Sequence, residues 1–471
     1  MNDTTPSATQ SEAASPDVAP AFVCDCSKRA RSACQGEPFF REHKGKRYCV
    51  LHYPGADKLE AFRVAFNRKL EGKDYKFLGV WFPEEVNFRG FEFSADADFY
   101  GARFSANAYF TNAKFGANAD FTYAEFGANA YFFSATFSAV ASFLGATFSA
   151  KADFFGARFS ANASFYDSTF SADASFSGAT FSADASFSGA TFSADPSFSG
   201  ATFSANADFS DATFSVNADF TGATFKSYAN FAGSDEQRSF GEQNQLDFQF
   251  AHIEKPERVS FHTLDLKPHW FINCDCRKFE FVDCEWNHNL KQELESATNA
   301  EISAPHRLLA ITFRQLADNA EANHRYHEAS NFRYNAFEAR RVETYGGFAF
   351  WRLDWWYWFA SGYGERVLQA FLVFLGIFIL FAVLFTQVGF DQSAKNMTTS
   401  ATQAATAQPD TIGKPLDWQD AFIYSFYVTI LQKPKPEPLT RTAKILVGLE
   451  TVLGPAQAAL LALAVRRRFM R

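Results

Sequence analysis

The chain has 471 residues, enough for several domains, a net charge of −8 and 18% aromatic residues, an excess explained by 59 phenylalanines. That balance fits neither a disordered protein nor a basic nucleic-acid binder.

Residues 1–20 are rich in Ser, Thr, Ala and Pro and poor in large apolar side chains. They cannot bury a core, so a disordered tail is expected, and they lack the apolar run of a signal peptide. Residues 21–56 follow as a small cysteine-bearing module. Cys24, Cys26, Cys34, Cys49 and His52 put four thiols and an imidazole in one short stretch, and the Cys49-x-x-His52 step lets one turn offer two ligands to a tetrahedral ion. Zinc is the cofactor these residues suggest, held by Cys34, Cys49 and His52 with either Cys24 or Cys26. The alternative is a set of free thiols in a disordered module, but a segment this small needs a staple to fold. Disulfides fit less well because no secretory signal places the segment in an oxidising compartment. Residues 57–76 carry helical spacing and are expected to cap the open end of what comes next.

From Phe77 to Phe231, phenylalanine recurs at alternating intervals of five and six residues, an eleven-residue period repeated fourteen times. Its cleanest copies read FSADASFSGAT, and over most of the block an alanine stands two places before each phenylalanine, as with Ala174 and Phe176. Ala and Phe then face the same side of a three-residue strand. Neither a period of 2 nor one of 3.6 fits, whereas a short strand and a corner repeated indefinitely gives a β-helical solenoid. Phe176, Phe181, Phe187, Phe192, Phe198 and Phe203 are expected in its core, stacked from coil to coil. The block has no His or Cys, and its Ser, Asp and Asn recur with the period, as corner residues do. Its 15 acidic and 6 basic residues argue against direct nucleic-acid binding.

With a small residue two places before a central Phe and Asp or Asn nearby, this block resembles the pentapeptide-repeat proteins. The resemblance implies a right-handed quadrilateral β-helix with four faces per coil, widened corners at the six-residue intervals, and, from some family members, a DNA-mimic role. A four-faced coil would take two periods, giving seven coils and a rod roughly 34 Å long at about 4.8 Å per coil. A flatter, two-sided coil of a single eleven-residue period is the alternative.

A polar insertion over residues 232–258 interrupts the pattern, which resumes at 259–288 as degenerate coils with a strict period of five: Phe261, Leu266, Phe271, Cys276, Phe281, Trp286. In this phase Cys274, Cys276 and Cys284 point inward, which favours core thiols over metal ligands. Residues 303–344 read as an αα-hairpin, with Ser303 as cap, Pro305 in the first turn and a break near Asn323. His324 and His327 lie within it without a zinc signature around them.

Residues 345–366, with Trp351, Trp355, Trp356 and Trp358, suit an interfacial aromatic helix. Val367 to Phe385 is uncharged for 19 positions, long enough to cross a hydrocarbon core of about 30 Å, and a transmembrane helix is expected over 367–390. A loop (391–416) and an apolar run too short to span (417–432) precede a second span at 443–465, which ends in a basic tail at 466–471. That tail marks a cytoplasmic end. Two spans return the chain to its starting side, so both termini are expected in the cytoplasm of a multi-pass, bacterial-type inner-membrane protein, with 391–416 outside it.

Outer helix, apolar half-helix and inner helix with glycines follow the order of the two-helix pore domain of potassium-type channels, which residues 365–471 resemble. Thr429 begins the stretch where the family carries its filter, but Thr429-Ile-Leu-Gln-Lys-Pro-Lys-Pro-Glu-Pro438 holds no glycine to line one. Gly448, Gly454 and Pro455 stand where an inner helix bends. Glu450 is an ionisable residue well inside the second span, either a functional carboxylate or one paired with Lys444 or Arg441. The expectation is a non-enzymatic protein, since no nucleophile, base and oxyanion set can be assembled. A channel-like domain would carry a binding or sensing β-helix in a homo-oligomer, a tetramer being one arrangement. The alternative is a membrane-anchored interaction scaffold, with a protein partner and no conduction.

Overall fold

The computed structural model describes residues 22–34, 36–233, 246–300, 302–345, 350–391 and 413–469. The expected disordered tail, residues 234–245 of the polar insertion, residues 392–412 of the loop between the spans and the last two residues lie outside these. The chain divides into two units at Leu246/Asp247.

In the first unit the eleven-residue period folds into four parallel ladders, each with seven strands among the described residues between Trp81 and Ala232. Each strand pairs with the one two periods along, as in Ala119 with Ala141, Phe126 with Phe148, Ala130 with Ala152 and Phe137 with Phe159. A coil is therefore two periods, and the single-period coil is excluded by register. Most strands are only two residues long, such as Ala174–Ser175 and Thr180–Phe181, because the corners take up the third residue.

The two intervals make different corners. Within the five-residue interval the Ala102 amide donates to Phe99 O at 2.9 Å, and the residue before it is left-handed: Gly101, Asn112, Gly145 and Asp167 recur at this place with φ near 50–60°. Gly, Asn and Asp tolerate that conformation best. Within the six-residue interval a carboxylate or amide accepts the main-chain N–H of the next coil, as Asp96 does from Asn118 and Asp184 from Asn206, both at 3.1 Å. These acidic residues bind coil to coil.

Ala and Phe both point inward, and Phe176, Phe181, Phe187, Phe192, Phe198 and Phe203 are all fully buried. Along the axis the rings lie parallel, Phe154 to Phe176 at 4.9 Å and Phe176 to Phe198 at 5.0 Å. Across the interior they meet edge to face, Phe176 with Phe187 at 5.2 Å and 86°. Both are the arrangements that aromatic quadrupoles favour. At the N-terminal end helix α1, Leu59–Glu71, sets Phe62 and Phe66 against Phe77, Phe82 and Phe88 and so covers the first coil.

The second unit begins with parallel pairs, Val259–His262 with Glu280–Val282 and Asp265–Leu266 with Glu285–Trp286. Between them a helical turn at Pro268–Phe271 replaces a strand. Cys274 and Cys276 are buried as the period implies, whereas Cys284 is half-buried and bonds Phe261 O at 3.2 Å. Burial pushes the Cys274 thiol up to about 12, which suits a core thiol.

Helix α2, Leu290–Asn299, has no counterpart in the sequence reading, and α3, Pro305–Ala322, with α4, Tyr326–Tyr345, form the hairpin. Ser303 does not cap α3: left-handed Ala304 occupies the cap position and makes no side-chain bond there. After α5, Leu353–Ser361, come α6, Val367–Phe385, α7, Trp418–Thr429, and α8, Arg441–Phe469. Helices α6 and α8 are long and apolar enough to cross a membrane.

Candidate metal centre and the membrane-helix cluster

A hairpin, Phe39–His43 with Lys46–Cys49, delivers Cys49, and the turn after it brings His52 back one step, the His52 amide donating to Cys49 O at 3.2 Å. The short helix Ala30–Cys34 delivers Cys34. The ligand atoms of Cys24, Cys34, Cys49 and His52 lie within 4.8 Å of one another, and all four side chains are buried. Sulfurs bound at about 2.3 Å to a tetrahedral zinc stand roughly 3.8 Å apart, so the four residues fit such an ion. Cys49 Sγ is 3.2 Å from His52 Nδ1, and His52 Nε2 is 2.8 Å from Leu78 O. If Nε2–H donates to that carbonyl, Nδ1 is left free for a metal, the usual outer-shell arrangement for a ligating histidine.

Cys26 is the half-buried fifth member, its Sγ 3.9 Å from that of Cys34 and outside the four. Hydrogen bonds from Cys26, Cys34 and Cys49 pull the Cys24 thiol well below its usual range. The same bond to Cys24 pushes Cys26 up to about 12 and raises Cys34 and Cys49.

The sequence treated this module as separate from the solenoid, but Leu78 belongs to the first coil. Trp81 N also donates to Leu51 O at 3.1 Å. A Cβ on Gly79 would come 3.0 Å from Ala30 Cβ and 3.5 Å from the His52 ring, so the module's close seat on the coil requires glycine there.

In the second unit α7 packs between α6 and α8. Phe378 meets Phe422 at 4.5 Å and Phe385 meets Tyr424 at 5.3 Å. Glu450 is fully buried here, and its Oε1 accepts hydrogen bonds from Ser425 and from Thr429, the latter at 3.4 Å. Lys444 and Arg441 are exposed, so the ion-paired reading of Glu450 is replaced by a hydroxyl-lined one. Gly454 and Gly448 differ. A Cβ at Gly454 would lie 3.1 Å from Thr429 Oγ1, while one at Gly448 would meet nothing. Pro455 lies inside α8, which continues past it to Phe469.

The sequence missed Ser425, although a serine one helical turn before Thr429 on an apolar helix was a readable signal. It also missed two buried carboxylates. Glu293 accepts from His269 at 2.7 Å and from Asn287 at 2.6 Å. Glu365 accepts from Arg333 at 2.9 Å and from Arg467 at 3.0 Å, tying α4 to the end of α8. Among the described residues His324 joins no metal cluster, and its Nδ1 lies 2.8 Å from the Tyr326 hydroxyl.

Residues 132–180, 176–224 and 187–235 match the family model described as pentapeptide repeats (9 copies). Residues 132–235, the larger part of the solenoid, are thus similar to pentapeptide repeats. No curated protein matches the chain. Among solved structures, a trypsin-treated variant of QnrB1, described as a plasmid-mediated fluoroquinolone resistance protein, is similar over 47% of this chain and 94% of that one, with 16% identity and a TM-score of 0.20. The solenoid exposes Phe133, Phe155 and Tyr166, each standing one place after an inward-facing phenylalanine. The equivalent places further along carry Ser177, Ser188, Ser199 and Ser210.

Proposed function

We propose that the chain is a non-enzymatic, multi-pass inner-membrane protein in which a pentapeptide-repeat solenoid of right-handed quadrilateral form, closed at its N-terminal end by a zinc-holding module, serves as the binding or sensing part. The membrane part is read as channel-like, a homo-oligomer and in the manner of two-helix pores a tetramer, since two helices per chain cannot enclose a pore. One observation carries the membrane reading: α6, α7 and α8 pack on one another while Leu368, Leu372, Leu380, Ile423, Ile445 and Val452 face outward. Such a surface suits a lipid bilayer or neighbouring copies. Arg466, Arg467 and Arg468 at the end of α8 support a cytoplasmic C-terminus.

A second reading, an anchored scaffold for a protein partner with no conduction, is favoured by the burial of Glu450 inside a single chain and by the missing filter glycines. In that reading the acidic solenoid binds its partner as a DNA mimic and contacts no nucleic acid itself. Planar-bilayer recording from detergent-purified oligomer separates the two. Cation currents support the channel-like reading, and silence from oligomeric protein under voltage and osmotic stress leaves the scaffold.

A further inference from the structure

Five oxygen atoms converge where α6, α7 and α8 meet: both carboxylate oxygens of Glu450, the hydroxyls of Ser425 and Thr429, and the carbonyl of Phe378. Ser425 Oγ is 3.2 Å from Phe378 O and also contacts Glu450 Oε1, and Thr429 Oγ1 is 3.4 Å from Glu450 Oε1. The serine has one proton for two acceptors. Among the described residues Glu450 Oε2, which is buried, has no hydrogen-bond partner. With Glu450 ionised the cluster would be short of positive charge by a full unit, in a place where a bare carboxylate is costly.

We propose that Glu450, Ser425, Thr429 and the Phe378 carbonyl bind a monovalent cation of the size of sodium. Size follows from spacing. Oxygens held about 2.3–2.6 Å from a calcium-sized ion lie roughly 3.3–3.7 Å apart, sodium has nearly the same radius, and the 3.4 Å between Thr429 Oγ1 and Glu450 Oε1 and the 3.2 Å between Ser425 Oγ and Phe378 O are close to that range. Charge follows from the ligand count. One carboxylate neutralises a monovalent ion, whereas a divalent ion would leave a net buried charge. Position adds to both, since Thr429 is the last residue of α7, where the helix dipole turns its negative end toward a cation. Gly454 lets α8 approach Thr429 closely enough to complete the group. The site lies within one chain and holds whether or not the membrane part conducts.

The test is thermal unfolding of the full chain in detergent, in NaCl against choline chloride at equal ionic strength. The expected result is a saturable rise in Tm with sodium, about 3–6 °C at saturation and smaller with potassium. Glu450→Gln should abolish the rise, and Ser425→Ala should weaken the apparent sodium affinity tenfold or more. Equal melting in sodium and choline would overturn the proposal and leave a protonated carboxyl in its place. So would a full sodium response in Glu450→Gln. Should that variant not fold, Ser425→Ala and Thr429→Val decide, and wild-type sodium affinity in both rejects the site. A chain that binds sodium and passes no current keeps the site and loses only the channel-like reading.

Discussion

The solenoid core and the α6–α8 core are both apolar, but they are built on opposite principles. In the solenoid one contact is repeated: Phe154, Phe176, Phe198 and Phe220 stack at 4.8–5.0 Å, each two periods after the last. In the helical core each contact occurs once, as where Ser425 reaches Phe378 from 47 residues away. Repetition turns a tertiary contact into a sequence period, and a single contact leaves no such trace. It also spreads the load, since a ring inside the stack has equivalent neighbours above and below, whereas among the described residues Glu450 has only Ser425 and Thr429 as hydrogen-bond partners.

The comparison breaks most visibly if a charge enters the ladder. Phe176→Asp should cost more than about 4 kcal/mol, combining a lost ring with an unpaired buried charge, and should abolish the cooperative β-melting of the chain by circular dichroism. An unchanged melt would mean that the ring points outward. Next in size is the cysteine-bearing end. Cys49→Ser should remove bound zinc, measured by elemental analysis of protein purified in reductant, and should lower stability by about 3 kcal/mol or more. Cys26→Ser should keep one zinc per chain, and loss of the metal there would instead make Cys26 a ligand.

The helical core is sharpened by its two glycines. Gly454→Leu should destabilise by about 1–3 kcal/mol, read by thermal melting in detergent, because its side chain meets Thr429. Gly448→Ala, with open space around it, should be neutral or stabilise by up to about 1 kcal/mol through helix propensity. The smallest effect belongs to the solenoid surface, where breaking the exposed Arg103–Glu125 pair, 3.1 Å apart, by Arg103→Ala should change stability by under about 1 kcal/mol.

The candidate sites were partly legible. Cys34, Cys49 and His52 were readable because their spacing is itself chemistry, but the choice of Cys24 over Cys26 depends on how the chain folds back, with Cys49 N donating to Cys24 Sγ at 3.4 Å. Glu450 was readable as an out-of-place carboxylate in an apolar run. Its surroundings were not, because Ser425 and Phe378 come from other helices.

From the sequence alone follow the solenoid, its inward phase, and the two helices long and apolar enough to span, since each is written as a period or a length. The tertiary structure decided the two-period coil over the single-period one. It also seated the cysteine module on the first coil through His52 and Leu78, and brought the Ser425 and Thr429 hydroxyls onto Glu450. The physical reason is common to all three. Period and length are properties of neighbours along the chain, whereas register, docking and convergence depend on which distant segments can pack together with their polar atoms satisfied.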